Sequence, residues 1–152
     1  MSQSPPLQCQ NTLFDWAESI DSKSWSQLHS LFAAKISVDY GSLGGVDNNN
    51  LSTPEAFVAS CANPDKLGNP EISTQHLIGA CRWEEVSEKK WSVSFQIRVA
   101  HWRSREGGEV LNVNGYGLNT MEFELFEEGW KIVSIKIRGR MMEGDIAALL
   151  GA

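Results

Sequence analysis

The sequence predicts an α+β fold in which N-terminal helices pack against a curved, mostly antiparallel sheet. Three observations predict it. Leu13, Trp16, Ala17 and Ile20 recur at the i, i+3, i+4, i+7 spacing of a helix with one buried face. From Ser73 to Ile137 apolar and polar residues alternate with the period of strands. Ser87-Glu-Lys-Lys90, Gly107-Gly108 and Glu127-Glu-Gly129 then cut that stretch into successive hairpins. Helices followed by a long meander is the order of an α+β domain, and 152 residues suffice for one core.

Residues 1–10 are expected to be a disordered leader, because Pro5-Pro6 and the neighbouring Ser and Gln offer no apolar face; residues 11–152 are expected to be a single domain. Asn11 or Thr12 can cap the first helix. Asp21-Ser-Lys-Ser24 breaks its stripe, and Trp25, Leu28, Leu31 and Phe32 begin a second helix. Ile36, Val38 and Tyr40 form a short strand with Tyr40 facing inward, and Gly41 to Asn50 is a loop by composition. Ser52-Thr-Pro-Glu55 reads as a capping box with Pro54 in the first turn, opening a helix that stops near Asn63-Pro64.

In the first long strand His76, Ile78 and Ala80 share one parity and Leu77, Gly79, Cys81 and Trp83 the other, so periodicity alone does not choose the inner face. The next strand is unambiguous: Trp91, Val93, Phe95, Ile97 and Val99 face in, and His101 falls on their parity. Val110 to Phe126 places Leu111, Val113, Met121, Phe123 and Leu125 on one parity with Gly115, Gly117 and Asn119. The two glycines suggest a bulge or bend that curls the sheet. Val133, Ile135 and Ile137 are expected to be buried, and Glu143 to Leu150 to form a short helix.

Composition removes several classes of function. No apolar run is long enough for a membrane span, and the N-terminus lacks the basic and apolar regions of a secretory signal, so a cytoplasmic protein is expected. Cys9, Cys61 and Cys81 are odd in number and form no CxxC pair, which argues against a disulfide framework or a zinc site. A net charge of -6 without Lys/Arg clusters argues against nucleic acid or membrane as a partner. The most basic run, His101 to Arg105, is expected to cap a strand end. His29 is expected to be a partly exposed surface histidine.

His101 taken alone reads as a satisfied core histidine. The inward parities add Tyr40, Asn119 and, if its parity is the inner one, His76, while Asp21 at the helix break can reach the mouth of a cavity. So many polar groups converging on one curved sheet are costly unless they bond to one another or to a ligand. Such a set is suited to proton transfer: imidazole titrates near neutrality, a carboxylate fixes its tautomer, and Tyr and Asn can hold a carbonyl oxygen as charge develops. No nucleophile motif, phosphate loop or metal-ligand spacing accompanies them.

Asp15-Trp-Ala-Glu-Ser-Ile-Asp-Ser-Lys-Ser-Trp25, Val38-Asp-Tyr40, Thr74-Gln-His-Leu-Ile-Gly-Ala-Cys-Arg-Trp83 and Arg98-Val-Ala-His101 resemble the fungal scytalone dehydratases. That family has the cone-shaped α+β barrel of nuclear transport factor 2 (NTF2-like) and of the SnoaL-like cyclases, with N-terminal helices on a curved, mixed, mostly antiparallel sheet. The resemblance implies His76 as the main acid/base group, His101 as a second histidine oriented by Asp21, Tyr40 as a holder of a carbonyl-polarising water, and Asn119 as a substrate-hydroxyl ligand. It also implies no metal or organic cofactor, and a homotrimer.

The chain departs from the family pattern at Ile20, where a tyrosine is usual, and at Ile146 and Leu150, where large aromatics are usual. An ungapped alignment puts Asn119 on the family's asparagine and Gly117 on its serine; a two-residue gap would instead put Asn119 on the serine and Met121 on the asparagine. Ile20, Met121 and Ile146 therefore join Asn119 as candidate substrate-binding residues. The implied activity is dehydration of a polyketide-type cyclic hydroxy-ketone in fungal-type secondary metabolism. A cyclase, epimerase or other isomerase of a natural-product intermediate is the alternative, and a non-catalytic binding module the third.

Overall fold

The computed structural model describes residues 4–41 and 51–151. Residues 1–3 of the expected leader and all of the expected loop but Gly41 lie outside them. Ten elements follow in chain order: α1 (Leu7–Asp21), α2 (Trp25–Ser30), β1 (Phe32–Asp39), α3 (Pro54–Ala62), β2 (Ile72–Ser87), β3 (Lys90–Ser104), β4 (Val110–Phe126), β5 (Gly129–Lys136), β6 (Gly139–Glu143) and α4 (Ile146–Leu150).

The sheet runs β1-β5-β4-β3-β2, with β6 added to part of β4. Only β1 and β5 pair in parallel, so the sheet is mixed and mostly antiparallel. Its inner face and the buried stripe of α1 enclose one core. Trp16, Ala17 and Ile20 meet Val93, Phe95, Met121, Phe123, Ile132 and Ile135 there. Burial of these side chains removes large apolar areas from water and is the main drive to fold.

Several boundaries differ from expectation for identifiable reasons. Helix α1 begins at Leu7, with Pro6 as its cap residue and no side-chain cap. Cys9 is 0% exposed, so a stretch expected to be leader contributes to the core. Pro5-Pro6 thus marks where the helix begins, as proline does when it precedes a first turn. The second stripe ends its helix at Ser30, and Phe32 already belongs to β1. In α3 the cap is Thr53, whose Oγ1 accepts from the Ala56 N–H at 3.2 Å, one residue later than the capping box implied.

The parity left open in β2 resolves as both readings in turn. Thr74, His76 and Ile78 face in, a register shift lies between Ile78 and Cys81, and Trp83 then packs on the core. A second shift, between Glu122 and Phe123, pairs Met121 with Ile135 and Phe123 with Ile132. Ile132, Ser134 and Ile135 are consequently the buried residues of β5, and Val133, expected to be buried, is only partly so.

The irregularity expected at Gly115 and Gly117 falls in the pairing of β4 with β6, where the register shifts between Tyr116 and Gly117, while the register of β3 with β4 runs through both without a break. The two glycines make room for β6, which lies across β4 with Met142 opposite Gly115 and Gly139 opposite Gly117. A Cβ at Gly117 would stand 2.6 Å from the Arg138 carbonyl oxygen, which backbone cannot readily yield. Asp145 caps α4 by accepting from the Ala148 N–H at 3.0 Å. Arg103 and Arg105 donate to the carbonyls of Leu149 and Ala148 at 2.8 and 2.6 Å. The basic run therefore ties down the C-terminal helix and complements the negative end of its dipole.

Candidate active site

Register places the polar groups before any side-chain contact is considered. Across β2 and β3, His76 is opposite Val99 and Thr74 opposite His101, so the two histidines are diagonal neighbours on one face. Such neighbours lie roughly 7–8 Å apart. The row continues from Val99 to Gly115 and on to Met142. Where Gly115 has no side chain, the inner face is hollow.

The hollow is a cavity of about 450 Å³ whose described lining includes Trp16, Ile20, Tyr40, His76, His101 and Asn119. Ile97, Val99, Met142 and Ile146 add apolar wall. His76, His101, Tyr40, Asn119, Ile20 and Ile146, all expected from sequence, thus come together. Met121 does not: it is 0% exposed and packed within the core, because it lies one inward step beyond Asn119 on β4 and beneath Ile135 of β5.

Asp21 stands behind the cavity wall at the last turn of α1, where Lys23 adopts φ 55° and the chain turns. Its Oδ1 accepts from His76 Nδ1 at 2.7 Å and from Thr74 Oγ1 at 2.8 Å, and its Oδ2 accepts from the His76 backbone N–H at 2.8 Å. The side chains of His76 and Asp21 are 9% and 16% exposed. Because β2 is the sheet's edge, its outward backbone donors have no strand to pair with. Asp21 satisfies one of them and orients the imidazole with the same carboxylate.

This corrects one expectation: Asp21 orients His76, whereas His101 is held by Val113, whose carbonyl lies 3.2 Å from His101 Nδ1. The reason is reach, since Asp21 meets β2 at its edge and His101 lies one strand further in. A carboxylate and a carbonyl only accept, so both histidines carry hydrogen on Nδ1 when neutral and keep Nε2 as a proton acceptor. Burial holds His101 below the usual imidazole range, against the opposing effect of the Val113 carbonyl.

Burial alone would raise the Asp21 carboxyl, but hydrogen bonds from the His76 ring and backbone, the His76 charge and Thr74 outweigh it and hold it below its ordinary value. Burial pushes the Tyr40 phenol well above its usual range, so it stays a donor at neutral pH. The Cys61 thiol, also in the cavity wall, is pushed up to about 12 by burial, which keeps it protonated at neutral pH. Asn119 accepts from the Arg138 backbone N–H at 3.3 Å, which leaves its amide hydrogens to offer elsewhere.

Sequence reasoning gave no role to Thr74, Trp16, Arg140 or Met142. Thr74 was detectable, since it shares the parity of His76 two residues on. Trp16 was assigned to the helix core. Its ring meets His76 edge-on at 5.5 Å and 77°, and its Nε1 is the one buried side-chain nitrogen or oxygen without a partner among the described residues. Arg140 and Met142 lie on β6, too short to show periodicity. His29 is exposed as expected, but it pairs with Glu55 at 2.8 Å.

Because the folded state holds Asp21 below the ordinary carboxyl pKa, its contribution to stability is complete above that value and is lost as pH falls through the lowered one. Asp21→Asn should therefore cost roughly 1–3 kcal/mol at pH 7. In urea titrations the gap from the wild type should close as pH is lowered into the acid range. A gap that is absent at pH 7, or constant with pH, would contradict this account.

A sequence model of the scytalone dehydratase family matches residues 3–151. A scytalone dehydratase-like protein of Claviceps purpurea is 35% identical over 153 residues, covering 96% of either chain. The scytalone dehydratase of Pyricularia oryzae is 33% identical over 137 residues, covering 88% of this chain and 78% of its own. Among solved structures, the Kfla4162 protein of Kribbella flavida superposes with a TM-score of 0.76 at 17% identity, covering 94% of each chain. The hexachlorocyclohexane dehydrochlorinase LinA-type3 of Novosphingobium barchaimii does so with 0.71 at 15%, covering 91% of this chain and 88% of that one. These two likenesses bear on the fold alone, which is the NTF2-like cone of helices and curved sheet. With its sequence matched from end to end and relatives above 30% identity, the chain belongs to the scytalone dehydratase family.

Proposed function

We propose that the protein is a cofactor-independent dehydratase of a polyketide-derived cyclic hydroxy-ketone, with His76 as the group that moves the proton. The observation that carries this is the Asp21–His76 pair at 2.7 Å in the wall of a largely apolar cavity. Family membership supports dehydration as the general reaction.

His76 Nε2 removes a proton from the carbon next to the ketone, and the resulting imidazolium is stabilised by the Asp21 carboxylate. Electrons move onto the ketone oxygen, where the Tyr40 hydroxyl donates to the developing enolate. They return as the carbon–oxygen bond at the β carbon breaks. His76 delivers its proton to the leaving hydroxyl, which departs as water and leaves an enone, so atoms and charge balance. His101 Nε2 accepts from a substrate hydroxyl, and the Asn119 amide donates to another. A low-dielectric wall strengthens each of these interactions.

A second reading, isomerisation or cyclisation in the same pocket, is favoured by one feature. Ile20 lines the cavity where the family resemblance calls for a tyrosine, which removes a donor from the enolate. The resemblance also implies a homotrimer, and Leu77 and Trp102 leave apolar side chains exposed on the outer face of β2 and β3.

Mass spectrometry of the products from hydroxylated tetralone-type ketones tests the reaction. Loss of one water is expected, with kcat lowered by roughly 100-fold or more in His76→Ala. A product of unchanged mass would move the protein to the second reading, and undiminished turnover in His76→Ala would sink both. Light scattering is expected to give three times the chain mass of 16.9 kDa, and a monomer would remove the trimer from the proposal.

A further inference from the structure

Arg140 is the only permanently charged side chain among the described residues that line the cavity. Its place is set by an irregularity in the pairing of β6 with β4. Met141 is opposite Tyr116 and Gly139 opposite Gly117, so Arg140 is the extra residue where the register of β6 with β4 shifts, and it borders the cavity together with Met141 and Met142. The missing side chain of Gly115 leaves space beside Met142, whereas at Gly117 the Arg138 backbone fills it.

Other arginines near this end of the molecule are engaged. Arg138 pairs with Asp39 at 2.8 Å, Arg103 with Glu71 at 2.9 Å, and Arg98 stacks over the Tyr116 ring at 5.5 Å. Among the described residues Arg140 has no carboxylate within ion-pairing distance and no side-chain hydrogen bond. A chain of net charge -6 does not draw anions by its overall field. Recognition of an anion here has to be local.

We propose that Arg140 selects a substrate bearing an anionic substituent, a carboxylate being the group its planar fork fits best. The inference rests on the cavity being the substrate site and names the substrate class: a ring ketone that carries a carboxylate. His76 stands on β2 and Arg140 on β6, with β3 and β4 between them. At the usual strand spacing that is roughly 14 Å of sheet, before the two side chains reach inward. One small cyclic ligand can therefore present its reacting carbons to His76 and its carboxylate to Arg140.

The test uses 3-hydroxy-2-naphthoate and its neutral isostere 3-hydroxy-2-naphthamide, titrated calorimetrically at pH 8, where ordinary imidazole is neutral. The wild type should bind the naphthoate about tenfold more tightly than the amide, or about 1.4 kcal/mol. Arg140→Gln should erase that preference while leaving the amide affinity unchanged, and Arg140→Lys should retain part of it. Arg140 is exposed and has no ion pair among the described residues, so neither variant should disturb folding. Equal affinity for both probes in the wild type, no binding of either, or a preference that survives Arg140→Gln would overturn the proposal. His76→Ala separates the two readings: its loss of turnover tests the dehydratase, and its charge preference should stay at the wild-type value.

Discussion

Asp21 ends α1 and accepts hydrogen bonds from the His76 ring, the His76 backbone and Thr74, so a helix, an edge strand and a cavity-lining imidazole are joined through one carboxylate. Separating α1 from β2 would uncover a charge that is only 16% exposed and strip a buried edge donor of its acceptor. Holding them together fixes which nitrogen of His76 faces the cavity. The same bonds thus hold the fold together and orient the imidazole, which is why the candidate site sits at the seam between helix and sheet rather than on a loop.

The sheet makes the second half of the arrangement. Gly115 lies in the row that runs from His76 through Val99 to Met142, and its lack of a side chain leaves a hollow where a closed core would otherwise continue. Beyond Asn119 the packing closes again around Met121, Phe123 and Ile135. The cavity is therefore an unfilled end of the hydrophobic core, walled by apolar side chains and supplied with a few polar groups. In that setting burial holds His101 low and Tyr40 high, while the hydrogen bonds of His76 and Thr74 hold Asp21 low.

Much of this was legible in the sequence wherever a single periodicity governs. Trp91 to Val99 alternates without interruption, and its inner face is the one observed, although Ala100 on the other parity is buried as well. The inward set of Tyr40, His101 and Asn119 followed from the same rule, while the place of His76 and the roles of both histidines came from family resemblance. What was illegible lies at irregularities. The shift after Ile78 exchanges the two parities of β2, and the shift at Phe123 moves burial in β5 from Val133 to Ile132 and Ser134. Neither leaves a mark on hydrophobic pattern, because each side of a shift alternates correctly by itself. The partner of Asp21 was misjudged for a different reason, since parity says which face a residue is on but not how far a carboxylate reaches across strands.

Asp21 sets the tautomer of His76 by accepting from Nδ1 and so leaves Nε2 as the free ring nitrogen of a cavity-lining imidazole. Nitrogen-15 NMR of histidine-labelled protein above the imidazole titration measures this directly. The account requires neutral His76 to carry its hydrogen on Nδ1, with that preference lost in Asp21→Asn. A neutral His76 bearing hydrogen on Nε2, or a tautomer indifferent to Asp21, would contradict it.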